Sequence, residues 1–211
     1  LLRKLILDGK VTIGELKAAG AKLNDVRVTV TAKDGMIRVD PLALALYGGT
    51  AAGGVALDVR TDRPKTDLRL GVEQVAVNPL LNDLLNKDFL EGATSATIGL
   101  SFAGDTADAI LGTLSGDGRL SFTDGAIKGV DLADMARNIQ SAFGAAEDGA
   151  EKPRTDFTEL VVPFALKNGV ASTPGTVLKS PFLRLKAAGK ADLVDKVLDF
   201  RLNPKLVGTI K

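Results

Sequence analysis

Runs in which every second residue is apolar recur along almost the whole chain, and this feature limits the fold more than any other. Val26, Val28 and Val30 alternate with Arg27, Thr29 and Thr31, and Val55, Leu57 and Val59 alternate with Ala56, Asp58 and Arg60. Successive side chains of a strand point to opposite faces, so each run gives one apolar and one polar face. Lys33-Asp34-Gly35, Gly48-Gly49, Asp62-Arg63-Pro64 and Lys167-Asn168-Gly169 separate the runs and supply turn chemistry. Further runs carry Val11 and Ile13, Leu68, Leu70 and Val72, Ala96 to Phe102, Leu160 to Leu166, Leu183 to Ala187, and Leu198 to Leu202. The expected fold is mainly β: a single twisted, curled antiparallel sheet of meandering hairpins, with a hydrophobic concave face and a few short helices. At Asp40-Pro41 the parity slips, and Leu42, Leu44 and Leu46 take over the apolar face. A proline at such a slip predicts a bulge or an edge.

Three segments break the strand pattern. Asn78-Pro79 before LLNDLL predicts a short helix, with Asn78 as cap and Pro79 at its first position. Asp105-Thr106 predicts a second helix over 107–114. The stretch LSGDGRLSFTDGAIKGVDL (114–132) reads as a strand through Phe122, a turn at Thr123-Asp124-Gly125 with positive φ at Gly125, a short strand through Ile127, and a third helix. That helix is capped by Asp131 and carries Leu132, Met135, Ile139 and Phe143 at helical spacing. Residues 144–155 are small, charged and without apolar period, which predicts a mobile loop. The chain opens at LLRKLIL with neither Met nor a signal-peptide layout, and is expected to be one domain over 1–211 excised from something longer.

The chemistry is mostly defined by what is missing. The chain has no histidine and no cysteine, which removes His-based triads, thiol nucleophiles, disulfides and His or Cys metal sites. Its 27 Lys+Arg against 26 Asp+Glu, scattered along the chain, leave no basic stripe for nucleic acid. Acidic residues sit in turns (Asp34, Asp62, Asp117, Asp124) or on the polar side of strands (Asp58, Asp67), where solvent is the ordinary partner. No calcium-loop spacing and no phosphate-cradling glycine loop is present, and no apolar run reaches the ~18 residues of a spanning helix. No catalytic constellation, cofactor or metal is expected.

The alternation leaves a large apolar face that three short helices are too few to cover. It can close into an ordinary core, or stay partly open to hold acyl chains or another apolar partner. Parity nominates Val28, Val30, Leu42, Leu44, Leu46, Leu57, Val59, Leu68, Leu70, Ile98, Leu100, Phe102, Val162 and Phe164 as its lining.

Residues 114–135, LSGDGRLSFTDGAIKGVDLADM, resemble the L-N-G-x-G-x-L-x-x-x-D-G-x-I-x-G-x-D-L segment of the AsmA family's C-terminal region, departing from it at Ser115 and at the acidic Asp117. LALALYGGTAAGGVALDV is similar to that family's L-Y-G-G-x-x-x-G strand pair. TDFTELVVPFALKNGVAST and SPFLRLKAAGKADLVDKVLDFRL resemble its closing strands, with their G-x-x-D-L-x-x-x-x-L-D phrase. The resemblance implies a Gram-negative envelope protein in the periplasm, anchored in the inner membrane by an N-terminal segment that this chain lacks. It also implies a part in outer-membrane assembly and lipid homeostasis, and an architecture similar to bridge-like lipid transfer proteins. The implied partner is a phospholipid or other acyl lipid; an envelope-assembly protein docked on a sheet edge or helix pair is the alternative. No catalytic residue is implied.

Overall fold

In a computed structural model, residues 2–132 and 153–207 are described. They build one sheet of eleven strands: β1 (Leu7–Ala18), β2 (Ala21–Lys33), β3 (Met36–Leu46), β4 (Gly49–Asp58), β5 (Lys65–Ala76), β6 (Ala93–Ala103), β7 (Ser115–Lys128), β8 (Arg154–Lys167), β9 (Val170–Lys179), β10 (Leu183–Asp192) and β11 (Val197–Leu206). Every strand pairs antiparallel with its sequence neighbour, so spatial order equals chain order. The sheet is open, with β1 and β11 at its two edges. Tight turns make this meander possible: Asp34 and Gly35 between β2 and β3 have φ of 50° and 75°, the left-handed pair that suits a two-residue hairpin.

The parity slip is a bulge inside the sheet and not an edge. Val39 pairs with Val55 and Leu42 with Gly53, and the register shifts between them. Two successive apolar sets of β3 therefore reach the same face.

Two short helices sit at opposite ends of the strands. α1 (Val77–Leu85) follows β5, and α2 (Ala107–Thr113) follows β6. α2 starts as expected, with Thr106 as cap accepting from the Ala109 amide. Its Thr113 hydroxyl ties it to the end of β6, accepting from Ala103 N at 2.9 Å and donating to Ala103 O at 2.7 Å. α1 starts earlier than its Asn-Pro signal suggests. Ala76 occupies the cap position without a side-chain bond, and Asn78 lies inside the first turn. The amide of Val77 already has a partner in the Gly92 carbonyl, so no side-chain cap is needed there.

The turn expected at Thr123-Asp124-Gly125 does not exist, because β7 runs through it. Thr123 pairs with Glu159 and Gly125 with Phe157 on β8, and Asp124, not Gly125, has the positive φ, 49°. Long-range pairing with β8 outweighs the local Asp-Gly signal. Glycine is required at 125 for another reason: a Cβ there would overlap the Glu91 carbonyl oxygen and come within 2.6 Å of the Phe157 ring. The turn between β3 and β4 likewise sits at Tyr47-Gly48, and Gly49 already belongs to β4. Of the third helix only its start at Leu132 is described; Met135, Ile139, Phe143 and residues 144–152 of the expected loop lie outside the described residues. Arg154 and Thr155, the end of that expected loop, are instead the first residues of β8.

The largest buried cluster lies at one end of the sheet, while Val26, Ala32, Ala51 and Val59 are buried outside it. Phe122, Leu160, Leu178 and Leu185 lie opposite one another across β7 to β10, and Val77 of α1, Leu90, Phe157 and Leu183 complete the cluster. Leu81, Leu120, Ile127, Leu132 and Val162 pack around it.

Candidate functional site

Directly opposed residues in a sheet share a face, so the register traces which side chains lie together. One row crosses all eleven strands without interruption: Gly9, Val30, Val39, Val55, Leu68, Leu100, Gly116, Leu166, Ala171, Ala191 and Leu198. It contains no polar side chain. Beside it, towards α1, runs a second row: Val11, Val28, Leu42, Gly53, Leu70, Ile98, Gly118 and Phe164. Leu44, Ala51, Val72, Ala96, Leu120 and Val162 form a third row nearer the closed core. Ala32, Ile37, Leu57, Thr66 and Phe102 form a fourth, nearer α2.

The fourteen residues nominated by parity are thereby located. Val28, Leu42, Leu70, Ile98 and Phe164 fall in the second row, and Val30, Leu68 and Leu100 in the first. Leu44 and Val162 belong to the third, and Leu57 and Phe102 to the fourth. Leu46 ends β3 opposite Gly49 on the same face. All thirteen are half-buried. Val59 is the exception. It lies beyond the end of β4 and is buried, its amide donating to Gly35 O at 2.8 Å and its carbonyl accepting from Arg3 Nε at 2.7 Å. It pins the β2–β3 turn and the N-terminus, and does not line the face. The fourteen leave out Val39, Val55, Val72, Leu120 and Leu166, which the register places in the same rows.

The face has a distinctive floor. Gly53, Gly116 and Gly118 interrupt the aliphatic rows at the centre, and the Phe164 ring leans over Gly118, where a Cβ would come within 2.6 Å of it. An aromatic ring laid over a cross-strand glycine shields the backbone and keeps the surface low. Gly189 under Phe200 and Gly125 under Phe157 repeat the device, each a directly opposed pair. The result is a shallow apolar strip that runs perpendicular to the strands, between α1 at one end of them and α2 at the other. With neighbouring strands about 4.8 Å apart, eleven strands make a path of about 50 Å.

Charge is kept off this strip. Arg38, Asp67, Arg69, Asp117 and Arg119 belong to the opposite parity, alternating in sign and interleaved with Gly54, Ala56, Gly99 and Ser101. A furrow of about 870 Å³ on that side is lined by Arg38, Asp40, Asp67, Arg69 and Asp117. Glycine and alanine between the charged residues leave that space. One ion pair lies at the sheet margin. Asp58 accepts from Arg60 Nε and Nη2 at 2.9 and 2.7 Å, and this hydrogen bonding, helped by the Arg60 amide, lowers its pKa to about 2.

One polar cluster does bear on the face, by fixing α1. Tyr47 donates its hydroxyl to Asp83 Oδ2 at 2.8 Å and accepts from the Lys22 amide at 3.0 Å, while Lys22 Nζ lies 3.5 Å from Asp83. The Tyr47 hydrogen bond holds the Asp83 carboxyl below the ordinary aspartate range, and partial burial raises Tyr47 above the ordinary tyrosine value. The β1–β2 and β3–β4 turns are thus bolted to the helix. Among the described residues no group of His, Cys, Asp and Glu could hold a metal, and no helix is long and apolar enough to cross a membrane.

An open antiparallel sheet with one uninterrupted apolar row across its strands, and no reaction centre among the described residues, defines a non-polar binding or scaffolding surface. The model of the AsmA family matches residues 3–176, and the chain belongs to that family. Over 191 residues it is 25% identical to Protein AsmA of Escherichia coli (strain K12), which covers 90% of this chain and 31% of that protein. The chain therefore spans about a third of the length of this relative. No solved structure matches. The family is associated with outer-membrane assembly, which points to the cell envelope, and it is not a known enzyme family.

Proposed function

We propose that this domain binds acyl chains of phospholipid along its apolar strip, and that the strip serves as a conduit for them in the periplasm, in a protein associated with the inner membrane. One observation carries the reading: a row of eleven residues, one from each strand, in which nothing is polar. Each methylene removed from water contributes about 0.8 kcal/mol, so a chain of roughly sixteen carbons laid half-buried on the strip gains on the order of 6 kcal/mol. That suffices for occupancy with no polar recognition, and it is weak enough to let the chain slide from row to row. No catalytic residue is required, since transfer is desolvation alone.

The test is native mass spectrometry and lipid extraction of the protein purified from a bacterial envelope. The expected result is co-purified phospholipid, displaced by detergent. A protein recovered free of lipid, and unable to take up fluorescent phospholipid from vesicles, would overturn the proposal.

A further inference from the structure

The face turned away from the apolar strip gathers positive charge over β9, β10 and β11. On β10 the strip side carries Leu183, Leu185, Ala187 and Ala191, so Arg184, Lys186 and Lys190 lie on the other. Register adds their neighbours: Arg184 lies opposite Lys179 on β9 and Lys205 on β11, and Ala188 lies opposite Arg201. Six of the chain's 27 Lys+Arg thus share this one area, and all six are exposed. Along the sequence they are interleaved with apolar residues and with Asp192, Asp195 and Asp199, and so read as scattered. The carboxylates do not cancel them. Glu159 lies 2.5 Å from Lys179, Asp192 accepts from the Val194 and Asp195 amides, and Asp199 stands opposite Lys190. Arg184, Lys186, Arg201 and Lys205 have no ion-pair partner among the described residues. Lys179, Arg184 and Lys205 oppose one another directly, and like charges so placed repel. Anions laid over the row relieve that repulsion.

The same row stands next to the β9–β10 turn. Arg184 Nη1 donates to Ser180 O and, at 3.1 Å, to Leu183 O, which ties the guanidinium to that turn. Phe182 at its tip is 66% exposed, while its carbonyl is held by the Val207 amide at 2.9 Å. An exposed aromatic ring fixed beside a row of cations matches the boundary of an anionic bilayer, where the ring enters the headgroup layer and the cations meet phosphates. We propose that this patch docks the protein onto a bilayer surface carrying anionic phospholipid. Lys179, Arg184 and Lys205 then lie at the level of the phosphates with Phe182 below them. Lys186, two residues further along β10, follows at about 7 Å, within the ~8 Å screening length of physiological salt. A soluble polyanion would use the cations and gain little from the ring. The cell envelope, to which the family points, supplies such surfaces. The patch is a face, so docking needs neither edge of the sheet to be free. It also lies on the reverse of the strip, and docking holds whether or not the strip carries acyl chains.

Co-sedimentation of the 211-residue chain with vesicles of phosphatidylcholine containing one third phosphatidylglycerol reads the docking. Binding should be strong at low salt, fall by about tenfold or more near 1 M salt, where the screening length is about 3 Å, and be lost on phosphatidylcholine alone. Lys186→Gln with Lys205→Gln should weaken it about tenfold or more, since each cation at an anionic surface is worth about fivefold. Lys10→Gln with Lys33→Gln, exposed on β1 and β2, changes the net charge equally and should leave binding as in the parent. Phe182→Ala should weaken binding severalfold with the salt dependence unchanged. Leu100→Asp, altered in the strip, should dock as the parent does, so docking and acyl-chain uptake fail separately. Equal binding to vesicles without phosphatidylglycerol, equal loss in the two double variants, or loss of docking in folded Leu100→Asp would each overturn the proposal. A Phe182→Ala protein that docks as the parent does would overturn it too, and would assign the patch to a soluble polyanion.

Discussion

Leu100→Asp distinguishes an open strip from a closed core. Leu100 stands at the middle of the first row, between Leu68 on β5 and Gly116 on β7, and is half-buried. Complete burial of a leucine is worth about 1.5–3 kcal/mol, so its half-buried side chain contributes about 1 kcal/mol. Aspartate in place of a strand former costs up to about 1 kcal/mol more. On an open face the carboxylate stays hydrated and adds no desolvation term. The total, about 2 kcal/mol, leaves most of the 5–15 kcal/mol of a typical domain intact and lowers Tm by about 4–8 °C. If a packed layer covered Leu100, the stranded charge would cost several kcal/mol further and the chain would not fold. Leu178→Asp supplies that reference, because Leu178 is 1% exposed inside the closed cluster. Circular dichroism and lipid extraction read the outcome. We expect Leu100→Asp to be folded and to carry markedly less phospholipid, and Leu178→Asp to be insoluble. A collapsed Leu100→Asp would refute the open face, and a folded one with the parent's lipid content would refute the row as the lipid path.

Leu178→Ala should cost about 2–5 kcal/mol in chemical denaturation, as expected for a cavity among Phe122, Leu160 and Leu185, while leaving lipid uptake by the refolded protein unchanged. Thr94→Val should raise Tm, since the buried Thr94 hydroxyl faces Phe122 with no hydrogen-bond partner, and its removal should contribute on the order of 1 kcal/mol. The Tyr47–Asp83 bond should make α1 docking acid-sensitive. A carboxyl whose pKa is lowered on folding stabilises fully above its unfolded value, near 3.9, and this contribution fades as pH falls through the folded value. The protection of α1 amides relative to their intrinsic exchange rates should therefore fall below about pH 4 in the parent, and be lower and less pH-dependent in Tyr47→Phe; identical profiles would rule out the bolt.

The meander was legible because each hairpin carries its own turn chemistry and each strand its own alternation, both local signals. Thirteen of the fourteen face residues follow from that alternation alone. The failures are all places where distant partners decide. Asp124-Gly125 has the composition of a turn, yet β8, some thirty-five residues away, holds it extended. Val59 has the right parity but the strand ends at Asp58, because the chain turns back there to bond Gly35 and Arg3. The glycine floor was visible as composition, but its meaning needs the aromatic on the neighbouring strand. The split of one apolar face into a sealed end and an open strip could not be read either, since it depends on where α1 and the 86–92 segment settle.

The two outer strands of the described sheet are oriented so that they would not close it with the pairing used elsewhere. In a strictly antiparallel meander all odd-numbered strands run the same way, so β1 and β11 are parallel to one another. Closing the sheet into a barrel would need a parallel seam, whereas an even count would close with the antiparallel pairing used everywhere else. Closure would also bury the apolar rows against one another and remove the strip from any ligand. The edges point the same way. Val11 on β1 and Leu198 on β11 are 45% and 74% exposed, although they belong to rows that are half-buried at the centre. Burial along each row therefore falls off towards the edges, as it must for a surface whose neighbours are missing there.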